Sequence, residues 1–160
     1  MSIHYSHPKG FVGRQIIYKI FEDDKFVGAI VGGSATLHLP NRNEFFGDKF
    51  YIGGIINNTF YHLTEHNDKN LGTKVLKIFR QQAVKDWEER YKDKVIGFET
   101  LIELPRSGSL YKADNWTYVG TTKGYTCRRQ GGISDTEKFG GVRVWDTKNL
   151  KPKLVYCKLI

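Results

Sequence analysis

The sequence has little of what marks disulfide-stapled, metal-finger or membrane-spanning proteins. It has only two cysteines, Cys127 and Cys157, and they form no CxxC pair, which speaks against zinc ribbons and redox motifs. Each cysteine is expected to lie in a strand as a small apolar side chain. No apolar run approaches the roughly 18 residues that span a bilayer, and residues 1–7 lack the pattern of a signal segment. We therefore expect a soluble, cytoplasmic protein without a membrane partner.

Negative charge is scarce relative to positive charge. Lys and Arg number 25 against 17 Asp and Glu, which gives a formal net charge of +8. Such an excess favours a polyanionic partner, and nucleic acid is the first candidate. The alternative is that a Lys-rich surface serves solubility alone. Hydrophobic residues make up 39% of the chain and aromatic residues 14%, which is enough for one domain, residues 1–160, with a core of its own.

Hydrophobic patterning predicts alternating strands and helices. Apolar residues recur at helical spacing at positions 71, 75, 76, 79 and 83, which predicts a helix over 71–92. The predicted strands are 14–21, 26–33, 50–56, 95–102, 117–121, 125–128 and 153–159. The first two form a hairpin, and residues 50–102 form a parallel strand-helix-strand unit. This order predicts an α/β fold with a mixed central sheet flanked by helices.

The most informative motif is the decapeptide Tyr111–Gly120, YKADNWTYVG. It predicts a short helix that opens on a tyrosine, breaks at Asp-Asn and runs straight into a strand. Many acyl-CoA N-acyltransferases present the proton donor for the leaving thiolate in this way, so Tyr111 is our candidate acid. The commoner role of such a tyrosine is a core side chain with a hydrogen-bonded hydroxyl.

A thioester donor with a pantetheine arm and a diphosphate would need two further features. Its amides need an exposed strand edge, and its phosphates need the bare N–H groups of a helix N-terminus. The candidates for the edge are Gly53, Gly54, Ile55 and Ile56. The candidates for the phosphate cradle are Asn70, Leu71, Gly72, Thr73 and Lys74. The alternative for both segments is an ordinary capped helix packed on a sheet.

Other polar residues are weaker candidates for chemistry. The cluster His4-Tyr5-Ser6-His7 contains imidazoles that titrate near neutrality and suit a base or a metal ligand, although chain termini often fray. Glu103 closes the predicted central strand and is placed to meet a substrate, or else it is a solvated strand end. The remaining histidines show no metal-ligand spacing.

Taken together, these residues resemble the Mom-like family of phage DNA-modification proteins. The residues that carry the resemblance are His4-Tyr5-Ser6-His7, Gly13, the strand 16–21, the helix at Leu71-Gly72, Phe98-Glu99-Thr100 and Tyr111–Trp116. They cover nearly the whole chain in order. A domain of unknown function in Druantia-type anti-phage systems shares much of the pattern.

The resemblance implies a GNAT-type fold and an enzyme that converts adenine N6 in DNA to a carbamoylmethyl derivative, which protects phage DNA from restriction. The functional residues would map to His4, Tyr5 and Tyr111, with Glu103 as a further member. Acetyl-CoA is the donor expected from the resemblance in fold, and iron is an option for the metal. Separately from the resemblance, a homodimer is an option for the assembly. The host would be a phage-infected or prophage-bearing bacterium.

A duplex-DNA substrate would impose its own requirements. An enzyme that reaches adenine N6 must flip the base into an aromatic slot and hold the backbone with a basic rim. The candidates for the slot are Tyr5, Phe60, Trp116 and Tyr118. The candidates for the rim are Arg106, Lys112, Lys123, Arg128 and Arg129. Two alternatives remain, a GNAT acetyltransferase acting on a protein or small amine, and a basic DNA-binding module without catalysis.

Overall fold

A six-stranded mixed sheet with the strand order β1-β2-β3-β4-β8-β5 organises the computed structural model, which describes residues 13–130 and 142–160. The strands are β1 Gln15–Glu22, β2 Lys25–Ser34, β3 Ile55–Leu63, β4 Gly97–Glu103, β5 Thr117–Thr121, β6 Thr126–Gln130, β7 Val142–Asp146 and β8 Lys153–Leu159. The helices are α1 Arg42–Phe46, α2 Leu71–Tyr91 and α3 Ser109–Ala113. Two 3-10 turns, Gly47–Lys49 and Ile52–Gly54, precede β3.

The β1–β2 hairpin is confirmed, and its turn explains its sequence. Glu22 pairs with Lys25, so Asp23 and Asp24 form a two-residue loop. Both have positive φ, 47° and 64°, as the twist of a tight hairpin requires, and Asp tolerates that region better than most residues. The turn therefore places three consecutive acidic residues at one corner of the sheet.

The parallel strand-helix-strand unit is also confirmed, but its first strand lies later in the chain than predicted. β3 and β4 are parallel neighbours joined through α2, whereas the strand predicted at 50–56 is wrong over its first five residues. Gly53 and Gly54 form part of a 3-10 turn instead. The Trp87 indole N–H donates to the Gly53 carbonyl at 3.3 Å, and Ile96 N donates to the Gly54 carbonyl at 2.7 Å. Contacts from distant residues thus override the local strand pattern.

Two apolar clusters cover the two faces of the sheet. The larger lies under α2, which buries Val75, Leu76, Phe79, Ala83 and Trp87, close to the predicted helical stripe. The smaller contains Phe46, Ile55, Val155 and Cys157. β4 is therefore buried on both faces, as its nearly continuous apolar run predicts.

The segment between β5 and β8 forms a separate two-stranded hairpin of β6 and β7. The sequence predicts a strand at 125–128, whereas β6 spans 126–130 and β7 is an additional strand. Trp145 on β7 and Tyr125 before β6 are about half exposed, at 57% and 48%. None of the helices described has the length and apolar character needed to cross a bilayer.

Candidate functional site

A cleft opens where β3 and β4 separate. The two strands pair only at Ile55–Gly97, Ile56–Phe98 and Asn57–Glu99. Beyond that point the residues of β3, β4 and the loop before α3 line a cleft of about 610 Å³. The Thr100 hydroxyl donates to the Asn58 carbonyl at 3.0 Å. A side chain thus bonds a carbonyl of β3 just where pairing with β4 ends.

A bulge in β3 accompanies this separation. Val31 of β2 is opposite Phe60, but the next residue of β2, Gly32, is opposite Asn58, so Thr59 is the extra residue. The Asn58 side-chain amide donates to the carbonyls of Val31 and Phe60, both at 3.0 Å. A bulge bends its strand and breaks the ladder. Here the Asn58 side chain stabilises the bend at the mouth of the cleft.

Tyr111 lies on the wall of the cleft in α3. Its side chain is only 6% exposed, and its hydroxyl donates to Asn58 Oδ1 at 2.5 Å. The ring stacks on Tyr156 and meets Trp116 edge-on. Tyr111 is therefore a core side chain with a hydrogen-bonded hydroxyl, and it also lines the cleft.

The turn after α3 explains the Asp-Asn break in the motif. Arg80 of α2 grips the Asp114 carboxylate with two N–H bonds of 3.0 and 2.8 Å, and the Trp116 indole donates to the same carboxylate at 2.8 Å. Asn115 has φ 58°, and Trp116 N donates to the Tyr111 carbonyl at 2.9 Å, which ends the helix in a left-handed turn. These bonds fix α3, and with it Tyr111, against α2.

The start of α2 forms one end of the same site. The Tyr61 hydroxyl donates to the Gly72 carbonyl at 2.8 Å, and burial raises the pKa of Tyr61. A Cβ atom at Gly72 would come within 2.9 Å of Leu110, so the glycine allows the first turn of α2 to approach α3. Within the described parts of the chain, the N–H groups of Gly72 and Thr73 have no acceptor.

The loop before α2 is bonded to carboxylates of the protein itself. Glu22 accepts from Asn67 N and Asp68 N at 2.9 and 2.8 Å, and Asp68 accepts from Asn70 N at 2.8 Å. The two N–H bonds hold the pKa of Glu22 below its usual range. Lys74 Nζ lies 2.5 Å from Asp68 Oδ2 and, as the largest cause, lowers the pKa of that carboxyl.

The segment predicted as the edge for a pantetheine arm lies at the closed end of the strands. Gly53 and Gly54 belong to the turn before β3, and Ile55 and Ile56 are fully buried where β3 pairs with β4. The edge that lines the cleft instead begins at Asn58. The prediction is corrected because the strands separate after Asn57, not at the glycine pair. The predicted cradle, 70–74, does start the helix beside the cleft.

The remaining predicted residues are scattered. Trp116, predicted to line the slot for a DNA base, is 4% exposed and packs on Phe98 in the core. Glu103 ends β4 opposite Lys153 and does not line the cleft. His4 and Tyr5 lie outside the described residues.

Arg106 is the member of the predicted basic rim that lines the cleft among the described residues. Arg106 is exposed and lines the cleft, whereas Lys112 is exposed on α3. Lys123 is exposed before β6, and Arg128 and Arg129 belong to that strand. For the predicted slot, Phe60 lines the cleft, while Tyr118 is half exposed with its hydroxyl 2.6 Å from that of Thr121.

A buried ion pair on the opposite face of the sheet was not predicted. Arg42 and Glu99 are 1% and 0% exposed and meet at 2.9 Å. Glu99 also accepts from Thr36 N at 2.6 Å, and Arg42 donates to the carbonyls of Thr36 and Leu37. Burial raises the pKa of Glu99. Because its oxygens are engaged, we assign Glu99 to holding the loop before α1 rather than to acid–base chemistry.

Sequence reasoning also missed Asn58 and Thr100, two of the polar residues that line the cleft. The signal that could have revealed them is the pair Asn57-Asn58 inside an otherwise apolar and aromatic strand, because strands are depleted in Asn unless its amide has partners. Among the described residues, no group of three His, Cys, Asp or Glu side chains is placed to hold a metal ion.

The fold matches that of solved GNAT acetyltransferases. An acetyltransferase from Salmonella typhimurium that modifies the N-terminal serine of ribosomal protein L7/L12 aligns with TM-score 0.53 and 13% identity, covering 92% of this chain and 65% of that one. A ribosomal-protein-alanine N-acetyltransferase from Brucella melitensis aligns with TM-score 0.51 and 15% identity, covering 90% and 68%. A GNAT family acetyltransferase from Elizabethkingia anophelis with acetyl-CoA bound gives 0.50 and 9%, covering 90% and 75%.

These likenesses establish the GNAT fold that the sequence predicts, since all three structures share the architecture at low identity. The chain spans 65% of the first of them and 75% of the third. No model of a protein family matches the sequence, and no curated protein matches it.

Proposed function

We propose that the protein is an acyltransferase that moves an acyl group from a thioester to a nitrogen nucleophile. The observation that carries this proposal is the cleft between β3 and β4 with the Tyr111 hydroxyl on its wall. An extended ligand can enter a sheet where two strands separate, because the strand edge offers main-chain hydrogen bonds. The GNAT fold of the chain and the acetyltransferase activity of its structural neighbours agree with this proposal.

The cleft suits the acylated arm of a thioester donor. From Asn58 to Leu63, β3 lines the cleft, and Leu101, Ile102 and Leu110 add apolar surface. Pantetheine has this mixed character, with two amides in a flexible chain. Acetyl-CoA is the donor expected from the neighbour that contains it. The residues that would hold the arm are those of β3 from Asn58 onward.

Tyr111 is the group best placed to protonate a leaving thiolate. In the proposed reaction a nitrogen attacks the thioester carbonyl, the C–S bond breaks, and the sulfur receives a proton while the nitrogen loses one. The Tyr111 hydroxyl now donates to Asn58 Oδ1, so it must exchange that acceptor for the sulfur. Asn58 stays in place during the exchange because its amide nitrogen holds two backbone carbonyls.

An acyl-transfer assay tests this proposal. Purified protein is incubated with acetyl-CoA or S-acetylpantetheine and with acceptors of several classes: peptides with free N-termini, lysine peptides, aminoglycosides, polyamines and DNA. The expected result is acceptor-dependent thiol release and an acylated product by mass spectrometry. Failure of every donor to bind, measured by calorimetry, would contradict the proposal.

A second candidate narrows the acceptor to a base in DNA, as the Mom-like resemblance implies. The observation that favours it is the segment 122–152, which contains the β6–β7 hairpin. It has seven basic residues, Lys123, Arg128, Arg129, Lys138, Arg143, Lys148 and Lys151, against three acidic ones, Asp135, Glu137 and Asp146. A basic two-stranded ribbon fits the major groove of DNA, and Arg106 adds charge at the cleft itself.

Nucleoside analysis separates the two candidates. DNA from cells that express the protein is digested, and its nucleosides are measured by mass spectrometry. Carbamoylmethyl-adenine supports the DNA-modification candidate. Unmodified adenine in cells with abundant folded protein eliminates that candidate and leaves the general acyltransferase proposal intact.

A further inference from the structure

Two carboxylates of the protein, Glu22 and Asp68, accept the backbone N–H groups of the loop between β3 and α2. The successive N–H groups of Asn67 and Asp68 donate to the two carboxylate oxygens of Glu22. Asn67 N donates to Oε2 at 2.9 Å, and Asp68 N donates to Oε1 at 2.8 Å. The Asn70 N–H donates to the Asp68 carboxylate at 2.8 Å. Successive backbone N–H groups that converge on one oxyanion form the usual anion-binding concavity of proteins. In this chain Glu22, 45 residues away from Asn67 in sequence, supplies that oxyanion.

The positive charge of Lys74, which is near this loop, is paired with a carboxylate of the protein. Lys74 lies in the first turn of α2, where its charge would suit a diphosphate, but its ammonium forms an ion pair with Asp68 at 2.5 Å. Asp23 and Asp24 follow Glu22 in the β1–β2 turn and add further negative charge at the same corner. A dianionic group placed at the loop 67–70 would meet like charges and the N–H groups of Asn67, Asp68 and Asn70, which already donate to carboxylates, and both disfavour its binding.

We infer that Glu22 and Asp68 exclude a nucleotide diphosphate from the start of α2, and that the donor is recognised through its acylated pantetheine arm. The inference rests on the proposed function, because it concerns the donor that enters the same cleft. It assigns the donor class as a pantetheine-type thioester whose affinity owes little to an adenine nucleotide. The N–H groups of Gly72 and Thr73 remain at the helix start, but Asp68 lies just before them in the same turn.

Calorimetry with three probes tests this inference on the full chain. The probes are S-acetylpantetheine, acetyl-CoA and 3′-phosphoadenosine 5′-diphosphate, which is the nucleotide part of CoA alone. For the wild type we expect the two thioesters to bind within about threefold of each other, and the nucleotide probe to show no binding. The double variant Glu22→Gln, Asp68→Asn keeps oxygen acceptors but loses both charges. It should bind acetyl-CoA about tenfold more tightly with unchanged affinity for S-acetylpantetheine.

Asp24→Asn is the matched control. It removes one negative charge from the same turn, but Asp24 makes no hydrogen bond to the loop within the described residues, and Asn accepts its positive φ of 64°. We expect this variant to change acetyl-CoA affinity by less than about twofold, because an exposed charge is screened. An increase equal to that of the double variant would overturn the inference, since it would show a general effect of charge.

The remaining outcomes separate the inference from the proposed function. Binding of the nucleotide probe to the wild type, or a preference of the wild type for acetyl-CoA over S-acetylpantetheine beyond about thirtyfold, overturns the inference and leaves acyl transfer in place. If neither thioester binds, the acyltransferase proposal fails. The nucleotide probe still decides the role of the two acids, because exclusion predicts that it binds the double variant and not the wild type.

Discussion

At the scale of a single residue, the Tyr111 hydroxyl is both a structural hydrogen-bond donor and the group that we propose for acid catalysis. Its bond to Asn58 belongs to a chain that runs through the Asn58 amide to two carbonyls of the bulged region. The Tyr111 hydroxyl is thus oriented before any ligand arrives, which suits the role of general acid that we propose for it.

Replacing Tyr111 with Phe should separate catalysis from binding. Without the hydroxyl we expect kcat for acyl transfer to fall by about a hundredfold with the donor KM nearly unchanged. The loss of one partner of Asn58 should also lower the free energy of unfolding by about 1–3 kcal/mol. Steady-state kinetics and thermal unfolding measure the two effects. Tyr118→Phe, which removes an exposed hydroxyl, serves as the control, and an unchanged kcat for Tyr111→Phe would remove this residue from the mechanism.

Glu22 and Asp68 should also make stability depend on pH. Because their bonds lower both pKa values in the folded protein, the stabilisation is complete above the ordinary values of the free groups and is lost as the pH falls through the folded values. The Tm difference between the wild type and Glu22→Gln, Asp68→Asn should therefore be largest near neutrality and shrink as the pH falls below 4.5. A series of thermal melts measures it, with Asp24→Asn as reference. A difference that stays constant into acid would contradict the assignment.

At the scale of secondary-structure elements, the position of α3 depends on the residue before it. Gly108 precedes α3 with φ 70°, and a Cβ atom there would come within 2.6 Å of the Tyr156 ring. The Tyr156 hydroxyl in turn donates to the Ser107 carbonyl at 2.8 Å. Gly108 therefore meets two requirements, a left-handed backbone and a close approach to an aromatic ring.

Gly108→Ala should displace α3. An Ala at this left-handed position, φ 70° and ψ 26°, should lose about 1 kcal/mol of stability from backbone strain and about 1–3 kcal/mol more from the contact of its Cβ with Tyr156. The matched control is the same change in a Tyr156→Ala background, where the ring is absent and the backbone strain remains. Denaturant unfolding measures both losses. Equal losses in the two backgrounds would show that the approach to Tyr156 has no energetic weight.

Local sequence patterns were enough to predict some strands and helices but not others. The β1–β2 hairpin and α2 follow from turn residues and apolar spacing within a short window. The start of β3 cannot be predicted in this way, because it depends on the hydrogen bond from Trp87 to the Gly53 carbonyl and on the pairing of β3 with β4. The Tyr111 motif identified α3, whereas its partner Asn58 is 53 residues away in sequence. Bonds between distant residues, such as Glu22 with the loop before α2, cannot be derived from a local window at all.

At the scale of the whole molecule, the net charge of +8 is unevenly distributed along the chain. The segment between β5 and β8 carries an excess of four positive charges, half of the total. If this segment contacts nucleic acid, its exposed lysines should set the salt dependence of binding, since each phosphate contact releases condensed counterions.

Neutralising exposed lysines in this segment tests the contact with DNA. The triple variant Lys123→Gln, Lys148→Gln, Lys151→Gln should reduce the slope of log affinity against log salt by up to about three. Fluorescence anisotropy with duplex DNA measures the slope. The control is a second triple variant, Lys77→Gln, Lys85→Gln, Lys94→Gln, which lowers the net charge by the same amount. Lys77 and Lys85 lie on α2, and Lys94 follows it. The same loss in both variants would show a nonspecific effect of net charge.

The order of the strands in the sheet has a consequence for biosynthesis. β8 follows every other strand of the sheet in the chain, yet it lies between β4 and β5 and pairs with both. During synthesis, β4 and β5 therefore each keep an unpaired edge until the segment Lys153–Leu159 has been made. Such edges are prone to pair with other chains. Nascent or prematurely ended chains of this protein should consequently depend on chaperones far more than the finished sheet does.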